Sequence, residues 1–329
     1  MEYYKSKKGY YYCKYKNGKV KRLSKQIYYN KMKKGGDKIN TGASADIFYP
    51  AYKKNTSGKI VKNLEYVSKI PFKKVSYKDI RDEVNTGKRI MEINNWVSYF
   101  LPVENRVDFN NISSINNINN NNRATYTNYN SIKTMVIRKA DMNLDKLFRT
   151  HTLTSNIIRK LLLKTTVACK LLLDTLNVAF FDLKSLNIMI KKVNNDPIKY
   201  ECYLIDFSKD YMVSNWTEFK TFSENLLHIA NNYFWAPEVN KMRKNIEEIN
   251  KFISLNKRNI IWKKWANKAM VYQVALTFKY YDVDFFNYSN TIESLIPNML
   301  QENSKDRPTL ETVIQKLDSN NSKNYSFSL

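Results

Sequence analysis

The spacing of apolar residues changes near residue 143 of this 329-residue chain. Upstream, apolar residues form short runs such as residues 134–137, which are typical of buried strands. Downstream the pattern is mainly helical, and its longest stretch, residues 156–176, is rich in leucine and predicts a helix that crosses a core. A β-rich first part and an α-rich second part together predict an α+β fold.

Scarce residue types exclude several classes of function. The two histidines exclude histidine-rich metal sites, and the three widely spaced cysteines argue against a disulfide framework and indicate a reducing, cytoplasmic setting. All seven glycines lie at or before Gly87, and the chain has neither a Walker-type phosphate loop nor a Gly-x-Ser-x-Gly nucleophile elbow. Residues 161–183, the best candidate for a membrane span, carry four charged side chains, so we expect no membrane segment.

Residues 1–36 differ in composition from the rest of the chain. They hold 12 Lys and Arg residues against one acid, Glu2, and eight of the 24 tyrosines, in a chain of net charge +25. Asn17-Gly18 separates two β-like runs and predicts a hairpin with a type I′ turn, followed by a short helix over residues 25–32. Basic side chains interleaved with tyrosines suit nucleic acid or an acidic protein surface, and a basic appendage that only aids solubility is the alternative.

The segment between Asp182 and Asp206 carries the residues best suited to chemistry. Asp182, Lys184 and Asn187 lie around the start of one apolar run, and Asp206 ends a second. Two strands joined by a polar loop over residues 191–199 predict a hairpin that aims Asn187 and Asp206 at one metal ion. Mg²⁺ prefers such oxygen ligands and usually shares them with phosphates. Asp182 can accept a proton from an attacking hydroxyl, and Lys184 can neutralise charge on a transferred phosphoryl group.

These residues resemble the catalytic loop and metal-binding segment of the eukaryotic-type protein kinase family. An ordered series of further motifs extends the resemblance over about residues 38–318. Residues 39–48 resemble the family's glycine-rich loop, with Gly42 at the central glycine and Ile47 at the valine that covers the adenine.

Two ion pairs are implied by the same resemblance. Lys69 matches the lysine of the third strand, and Glu83 on the following helix is placed to pair with it. Residues 236–238 match the Ala-Pro-Glu motif that closes the activation segment, and Arg307 matches the late arginine that pairs with Glu238. The first pair would act on nucleotide, whereas the second would be structural.

The resemblance implies a two-lobed protein-kinase-like fold with a small β-rich N-lobe and a larger α-helical C-lobe. The expected divisions are a basic appendage over residues 1–36, an N-lobe over 37–140 with an Asn-rich loop at 110–130, a C-lobe over 141–320 and a tail over 321–329.

The implied activity is transfer of the ATP γ-phosphoryl group to a protein hydroxyl, with Mg²⁺ or Mn²⁺ as the metal. Lys184 is the serine/threonine-type choice within the family, so a Ser/Thr substrate is favoured. The implied nucleotide-binding residues are Gly42, Ile47, Val67, Lys69, Glu83, Ile137 and Ala140. The implied catalytic residues are Asp182, Lys184 and Asn187, and the implied metal ligands are Asn187 and Asp206.

Several positions depart from the family pattern. Phe180-Phe181 replaces the usual His-Arg, which removes the usual partner of a phosphate on the activation segment, so we expect an enzyme that is not switched on by that phosphate. Ser208 replaces a glycine, and Met270 falls where an aspartate normally anchors the catalytic loop. These changes leave open a pseudokinase that binds nucleotide or acts as a scaffold.

Two further interpretations concern source and partners. Residues 83–90, residues 96–102 and the basic opening are similar to kinases of large DNA viruses. A protein that mainly binds nucleic acid through residues 1–36 is a third alternative to the enzyme and the pseudokinase.

Overall fold

The computed structural model divides into two compact units. The first comprises Met1–Val84 and Val103–Lys139, and the second comprises Asn85–Pro102 and Ala140–Leu329. The residues that the structure describes are 2–5, 11–14, 19–23, 37–41, 45–54, 60–72, 75–110, 131–195, 198–225, 236–237, 239, 255–279 and 290–318.

A three-stranded antiparallel sheet opens the first unit, in the order β1-β2-β3. Its strands are β1 (Glu2–Lys5), β2 (Tyr11–Lys14) and β3 (Val20–Leu23). Strands β2 and β3 pair with Lys14 opposite Val20, which is the pairing expected of the hairpin. The Asn17-Gly18 turn and the helix predicted over residues 25–32 lie outside the described residues.

A five-stranded antiparallel sheet is the largest described sheet of the first unit, with the order β4-β5-β8-β10-β9. Its strands are β4 (Asp37–Thr41), β5 (Ala45–Tyr49), β8 (Tyr66–Pro71), β9 (Asn105–Asn110) and β10 (Ser131–Arg138), and a separate pair is formed by β6 (Ala51–Lys54) and β7 (Ile60–Asn63). Most of the Asn-rich segment, residues 111–130, lies outside the described residues.

Helix α1 (Tyr77–Met91) begins at a reciprocal cap. The amide of Ser76 donates to Asp79 Oδ2 and the amide of Asp79 donates to Ser76 Oγ, both at 3.1 Å, which satisfies two amides that have no partner inside the helix. The apolar side of the helix packs Ile80 against Met135 of the sheet.

Helices dominate the second unit. Those among the described residues are α2 (Leu144–Thr150), α3 (Ser155–Leu176), α4 (Trp216–Asn225), α5 (Leu255–Lys279), α6 (Asn290–Met299) and α7 (Leu310–Asp318). Helix α3 confirms the leucine-rich prediction, and it ends where Asn177 takes a left-handed backbone with φ 54°. None of the described helices combines the length and the apolar character needed to cross a bilayer.

Two small sheets complete the second unit. One has the order β11-β13-β14 and the other pairs β12 with β15. Their strands are β11 (Met142–Asn143), β12 (Ala179–Phe180), β13 (Ile188–Asn195), β14 (Ile198–Leu204) and β15 (Met212–Val213).

The hairpin of β13 and β14 corrects one sequence expectation. The polar loop predicted over residues 191–199 is wrong, because the two strands continue through most of it. Lys191 lies opposite Glu201, so opposite charges face each other across the ladder and offset the lack of apolar residues.

The two described cysteines of the second unit, Cys169 and Cys202, are buried and free. Burial raises the pKa of the Cys169 thiol to about 12 and that of Cys202 to about 11. Both side chains are therefore neutral core residues rather than reactive thiols.

Candidate functional site

Lys69 and Glu83 form an ion pair in the first unit. Lys69 lies on β8 and Glu83 on α1, and the Lys69 Nζ to Glu83 Oε1 distance is 2.7 Å. Their side chains are 11% and 14% exposed, so the pair is largely removed from water. A buried ammonium whose position is set by a carboxylate is suited to binding an anionic group.

Three partly exposed apolar side chains share the sheet face of Lys69. Ile47 lies opposite Lys69, and Ile137 lies opposite Val67, which is two residues before Lys69 on the same strand. Paired residues point to the same side of a sheet, as do alternate residues along a strand. Ile47, Val67 and Ile137 are all half-buried, so this face presents a partly accessible apolar surface beside a cation.

Glu104 holds the end of β10, beyond Ile137, through hydrogen bonds. The Glu104 carboxylate accepts hydrogen bonds from the guanidinium of Arg138 and, at 2.9 Å, from the Tyr66 hydroxyl. Its amide donates to Val136 O at 3.0 Å. Ala140 follows at the start of the second unit, and Gly42 lies outside the described residues.

Lys184 and Asn187 both donate to the carboxylate of Asp182 in the second unit. Lys184 Nζ lies 2.7 Å and 2.9 Å from the two carboxylate oxygens of Asp182. Asn187 Nδ2 donates to Asp182 Oδ2 at 2.7 Å and to the Asp182 carbonyl oxygen at 2.8 Å. A single 3₁₀ turn, Ser185–Asn187, makes this possible by bending the chain back toward Asp182.

Burial dominates the electrostatics of Asp182. Desolvation raises the pKa of Asp182 above its ordinary value, and the negative charge of Asp206 adds to this, while Lys184 and Asn187 act in the opposite direction. Burial also raises the pKa of the nearby Tyr211 hydroxyl, with a further increase from the Asp182 charge. A carboxylate with a raised pKa holds a proton better than a solvated one, which suits a group that must accept a proton.

Asp206 has an unusual backbone conformation. It is left-handed, with φ 63°, and its carbonyl oxygen accepts a hydrogen bond from the Ser208 amide at 2.9 Å. The preceding amide, that of Ile205, donates to Asn187 O at 3.0 Å and so joins the two segments that carry the predicted metal ligands. Ser208 has φ −64° and needs no glycine, because the left-handed residue is Asp206.

Phe180, which stands in the family's histidine position, lies in an aromatic column. Its ring centroid is 5.5 Å from that of Phe207, and Phe207 in turn meets Phe100 edge-on at 5.9 Å. This packing fixes the residue next to Asp206.

Phe181, which stands in the family's arginine position, lies in a larger aromatic cluster, defined here as Phe181, Trp216, Phe219, Phe222, Trp262 and Trp265. Phe181 stacks on Phe222 of α4 at 5.2 Å and meets Trp262 of α5 at 5.9 Å. The Phe181 side chain is 1% exposed. The position at which the family's arginine would bind a phosphate is therefore occupied by packed aromatic rings.

Two polar side chains of α5 donate hydrogen bonds to the loop that carries Asp182. Neither was predicted from the sequence. Gln273 Nε2 donates to Phe181 O at 3.0 Å, and Thr277 Oγ1 donates to Leu183 O at 3.3 Å. Both lie on α5 and are fully buried. The only signal in the sequence is that they are polar residues inside an otherwise apolar helical stretch.

Arg307 is buried, with 2% exposure. Its guanidinium donates to the backbone oxygens of Gln301, Lys268 and Glu302 and lies 4.8 Å from the Tyr272 ring centroid. Its predicted partner Glu238 lies outside the described residues, so that pairing stays a prediction.

The donor set at Asn187 and Asp206 fits a magnesium ion shared with phosphates. Because Asn187 donates through Nδ2 to Asp182, its oxygen Oδ1 is the end available to a cation. One amide oxygen and one carboxylate are the ligands that Mg²⁺ and Mn²⁺ take when phosphates complete the shell. Over the described ranges no cluster of three or more His, Cys, Asp or Glu residues could hold a metal without such help.

No family model matches the chain, and no curated protein matches it. Among solved structures, the chain is similar to the crystal structure of Rad53 1–466 in complex with AMP-PNP, at 14% identity and a TM-score of 0.48. The match covers 85% of this chain and 63% of that one, so the chain spans less than two thirds of that neighbour's length. The architecture combines an antiparallel-sheet unit with a mainly helical unit, as expected of an α+β fold.

Proposed function

We propose that the chain is a protein kinase that transfers the γ-phosphoryl group of ATP to a serine or threonine hydroxyl of a protein. The observation that carries the proposal is the convergence of Lys184 and Asn187 on the carboxylate of Asp182, whose side chain is 17% exposed. A base held between a cation and an amide, and near enough to a second acid, Asp206, to be affected by its charge, is the arrangement that phosphoryl transfer to a hydroxyl needs.

Each residue has a defined role in the proposed reaction. Lys69 binds the α- and β-phosphates, and Glu83 sets the position of its ammonium. Asp182 orients the attacking hydroxyl and accepts its proton as the new O–P bond forms and the bond to the β,γ-bridging oxygen breaks. Lys184 offsets the negative charge that develops on the transferred group.

The apolar face of the first unit is the proposed adenine site. Ile47, Val67 and Ile137 would contact the ring, with Gly42 over the phosphates and Ala140 at the edge of the base. Asn187 and Asp206 would hold Mg²⁺, or Mn²⁺ in its place, which neutralises phosphate charge when bound.

The test is transfer of radiolabelled phosphate from ATP, by the chain to itself and to a mixed protein substrate, with Mg²⁺ or Mn²⁺. We compare the wild type with Asp206→Asn and with Asp210→Asn, a matched control at an exposed acid four residues further on. Label is expected with the wild type and with Asp210→Asn but not with Asp206→Asn. Phosphoamino-acid analysis then separates Ser/Thr from Tyr.

Absence of label with a folded wild type would overturn the enzyme and favour the pseudokinase. Its sequence support is Phe180-Phe181, Ser208 and Met270, which stand where the family has His-Arg, a glycine and an aspartate. ATP binding to the folded, inactive wild type would then identify a nucleotide-binding scaffold, and its absence a scaffold without nucleotide.

The basic opening of the chain is a second, separate proposal. Lys19, Lys21 and Arg22 are exposed on or beside β3, in the segment that holds much of the excess positive charge. We expect this segment to bind an anionic partner, and a single-stranded oligonucleotide is a suitable probe. Binding that keeps the same affinity and salt dependence after deletion of residues 1–36 would dispose of this role.

A further inference from the structure

Three consecutive carbonyl oxygens of the catalytic loop each accept a hydrogen bond from a buried side chain. Gln273 donates to the oxygen of Phe181, Asn187 to that of Asp182, and Thr277 to that of Leu183. Asn187 belongs to the loop itself, whereas the other two donors come from α5. The backbone on both sides of Asp182 is therefore fixed from outside the loop.

Gln273 and Thr277 act as one unit on the helix. They are four residues apart, which places them on the same side of α5. The single hydroxyl proton of Thr277 is shared between Gln273 O at 2.8 Å and Leu183 O at 3.3 Å, so Gln273 is the stronger of the two donors to the loop. Both residues have 0% exposure, so no water competes for the two loop carbonyls. Met270, where the family pattern has an aspartate, is a fully buried core residue one turn earlier.

The amide of Gln273 is retained although half of it is unsatisfied. Its Oε1 is buried and has no hydrogen-bond partner among the described residues, and a buried acceptor of this kind lowers stability. A core selected for stability alone would place an apolar residue here. The cost is explained if the Nε2 donor has a function that stability does not measure.

We propose that Gln273, with Thr277, is a positioning residue that holds Asp182 in its working orientation. It anchors the catalytic loop in place of the aspartate that the family has at the position of Met270. This inference rests on the proposed kinase activity and names how this particular chain sustains it. The donors do not touch substrate, so their effect is on the placement of Asp182 rather than on nucleotide binding.

The experiment compares Gln273→Met and Thr277→Val with a matched control, Thr166→Val. Met and Val keep the shape of the residues they replace and remove only the hydrogen bonds. Thr166 is likewise buried, but its hydroxyl donates to Leu162 O within its own helix and not to the loop. Steady-state kinetics, thermal unfolding and hydrogen exchange of the peptide that contains residues 180–188 are measured on the full chain.

For Gln273→Met we expect kcat to fall roughly 10- to 100-fold, since a displacement of about 1 Å of a catalytic group can cost that much. The KM for ATP should stay within about twofold, because this interaction is made to the loop rather than to the nucleotide. The unfolding midpoint should change by less than about 3 °C, since loss of the donor is offset by loss of the unsatisfied Oε1. Exchange in the loop peptide should accelerate.

Equal kcat for Gln273→Met and Thr166→Val would overturn the inference while leaving the proposed kinase intact. A parallel fall of kcat and thermal stability in Gln273→Met would also overturn it, since that is a structural role. If the wild type transfers no phosphate, the proposed function fails by itself. The loop exchange then decides the anchoring, and an unchanged rate in Gln273→Met would refute that as well.

Discussion

The aromatic cluster around Phe219 makes a quantitative prediction for stability. Phe219 lies on α4, is fully buried, and its ring centroid is between 5.0 and 6.4 Å from those of Phe181, Trp216, Phe222, Trp262 and Trp265. Replacing a core Phe with Ala costs about 3–5 kcal/mol, and the cost rises with the volume of the cavity that remains. Large rings confined by one another cannot close such a cavity easily. We therefore expect Phe219→Ala to cost about 4–5 kcal/mol.

Thermal and urea unfolding of the full chain measure this loss. For a unit of this size, each kcal/mol lowers the unfolding midpoint by about 2–4 °C, so a decrease of about 8–20 °C is expected. Helix α4 follows the segment that carries Asp206 and Phe207. Loosened packing of α4 in Phe219→Ala should therefore lower phosphate transfer even at temperatures below the new midpoint, where the variant is still folded.

Phe148→Ala is the matched control. Phe148 also lies on a helix and meets the ring of Phe278 edge-on at 6.0 Å, but it is only half-buried. Its replacement should cost clearly less than that of Phe219. If the two variants lose the same stability, or if Phe219→Ala loses less than about 1 kcal/mol, the cluster is not a packed core and the reasoning is refuted.

Three further outcomes are expected. Glu83→Gln should lower kcat/KM and cost about 3 kcal/mol in chemical denaturation, because it leaves the Lys69 charge buried without its carboxylate, and Lys69→Met in the same chain should restore part of the stability but none of the activity. Asp182→Asn should abolish transfer yet raise the unfolding midpoint near neutral pH. Burial raises the folded-state pKa of Asp182, so its ionised form destabilises the fold, and the gain should vanish as the pH falls through the raised pKa toward the ordinary value. Thr217→Val with Thr221→Val, at exposed positions of α4, should leave transfer unchanged in a steady-state assay, and a collapse of activity would show that a phosphate on this helix is required.

The elements of the fold were predictable where hydrophobic periodicity is strong. The 22-residue helix α3 and the strand that ends at Arg138 follow directly from apolar spacing. The hairpin of β13 and β14 was predicted, but its polar loop was not, because strand pairing between charged side chains leaves no apolar signal. The divisions into appendage, lobes and tail stay predictions.

The candidate site was predictable only where residues are close in sequence or belong to a motif. Asp182, Lys184 and Asn187 lie within six positions of one another, so their meeting requires only one tight turn. Gln273 donates to the carbonyl oxygen of Phe181, 92 residues away, and a single sequence contains no information about such a long-range contact. The aromatic cluster was missed for the same reason, since α4 and α5 meet Phe181 only in the folded chain.

The backbone of Asp206 affects how an inactive form of this protein should be made. At φ 63° only glycine, asparagine and aspartate are readily accommodated, and alanine at such an angle costs about 1 kcal/mol more. Alanine would therefore combine a missing charge with a distorted main chain, and a null result could not be traced to either. Asparagine keeps the geometry and removes only the charge, which makes it the cleaner loss-of-function allele for complementation experiments.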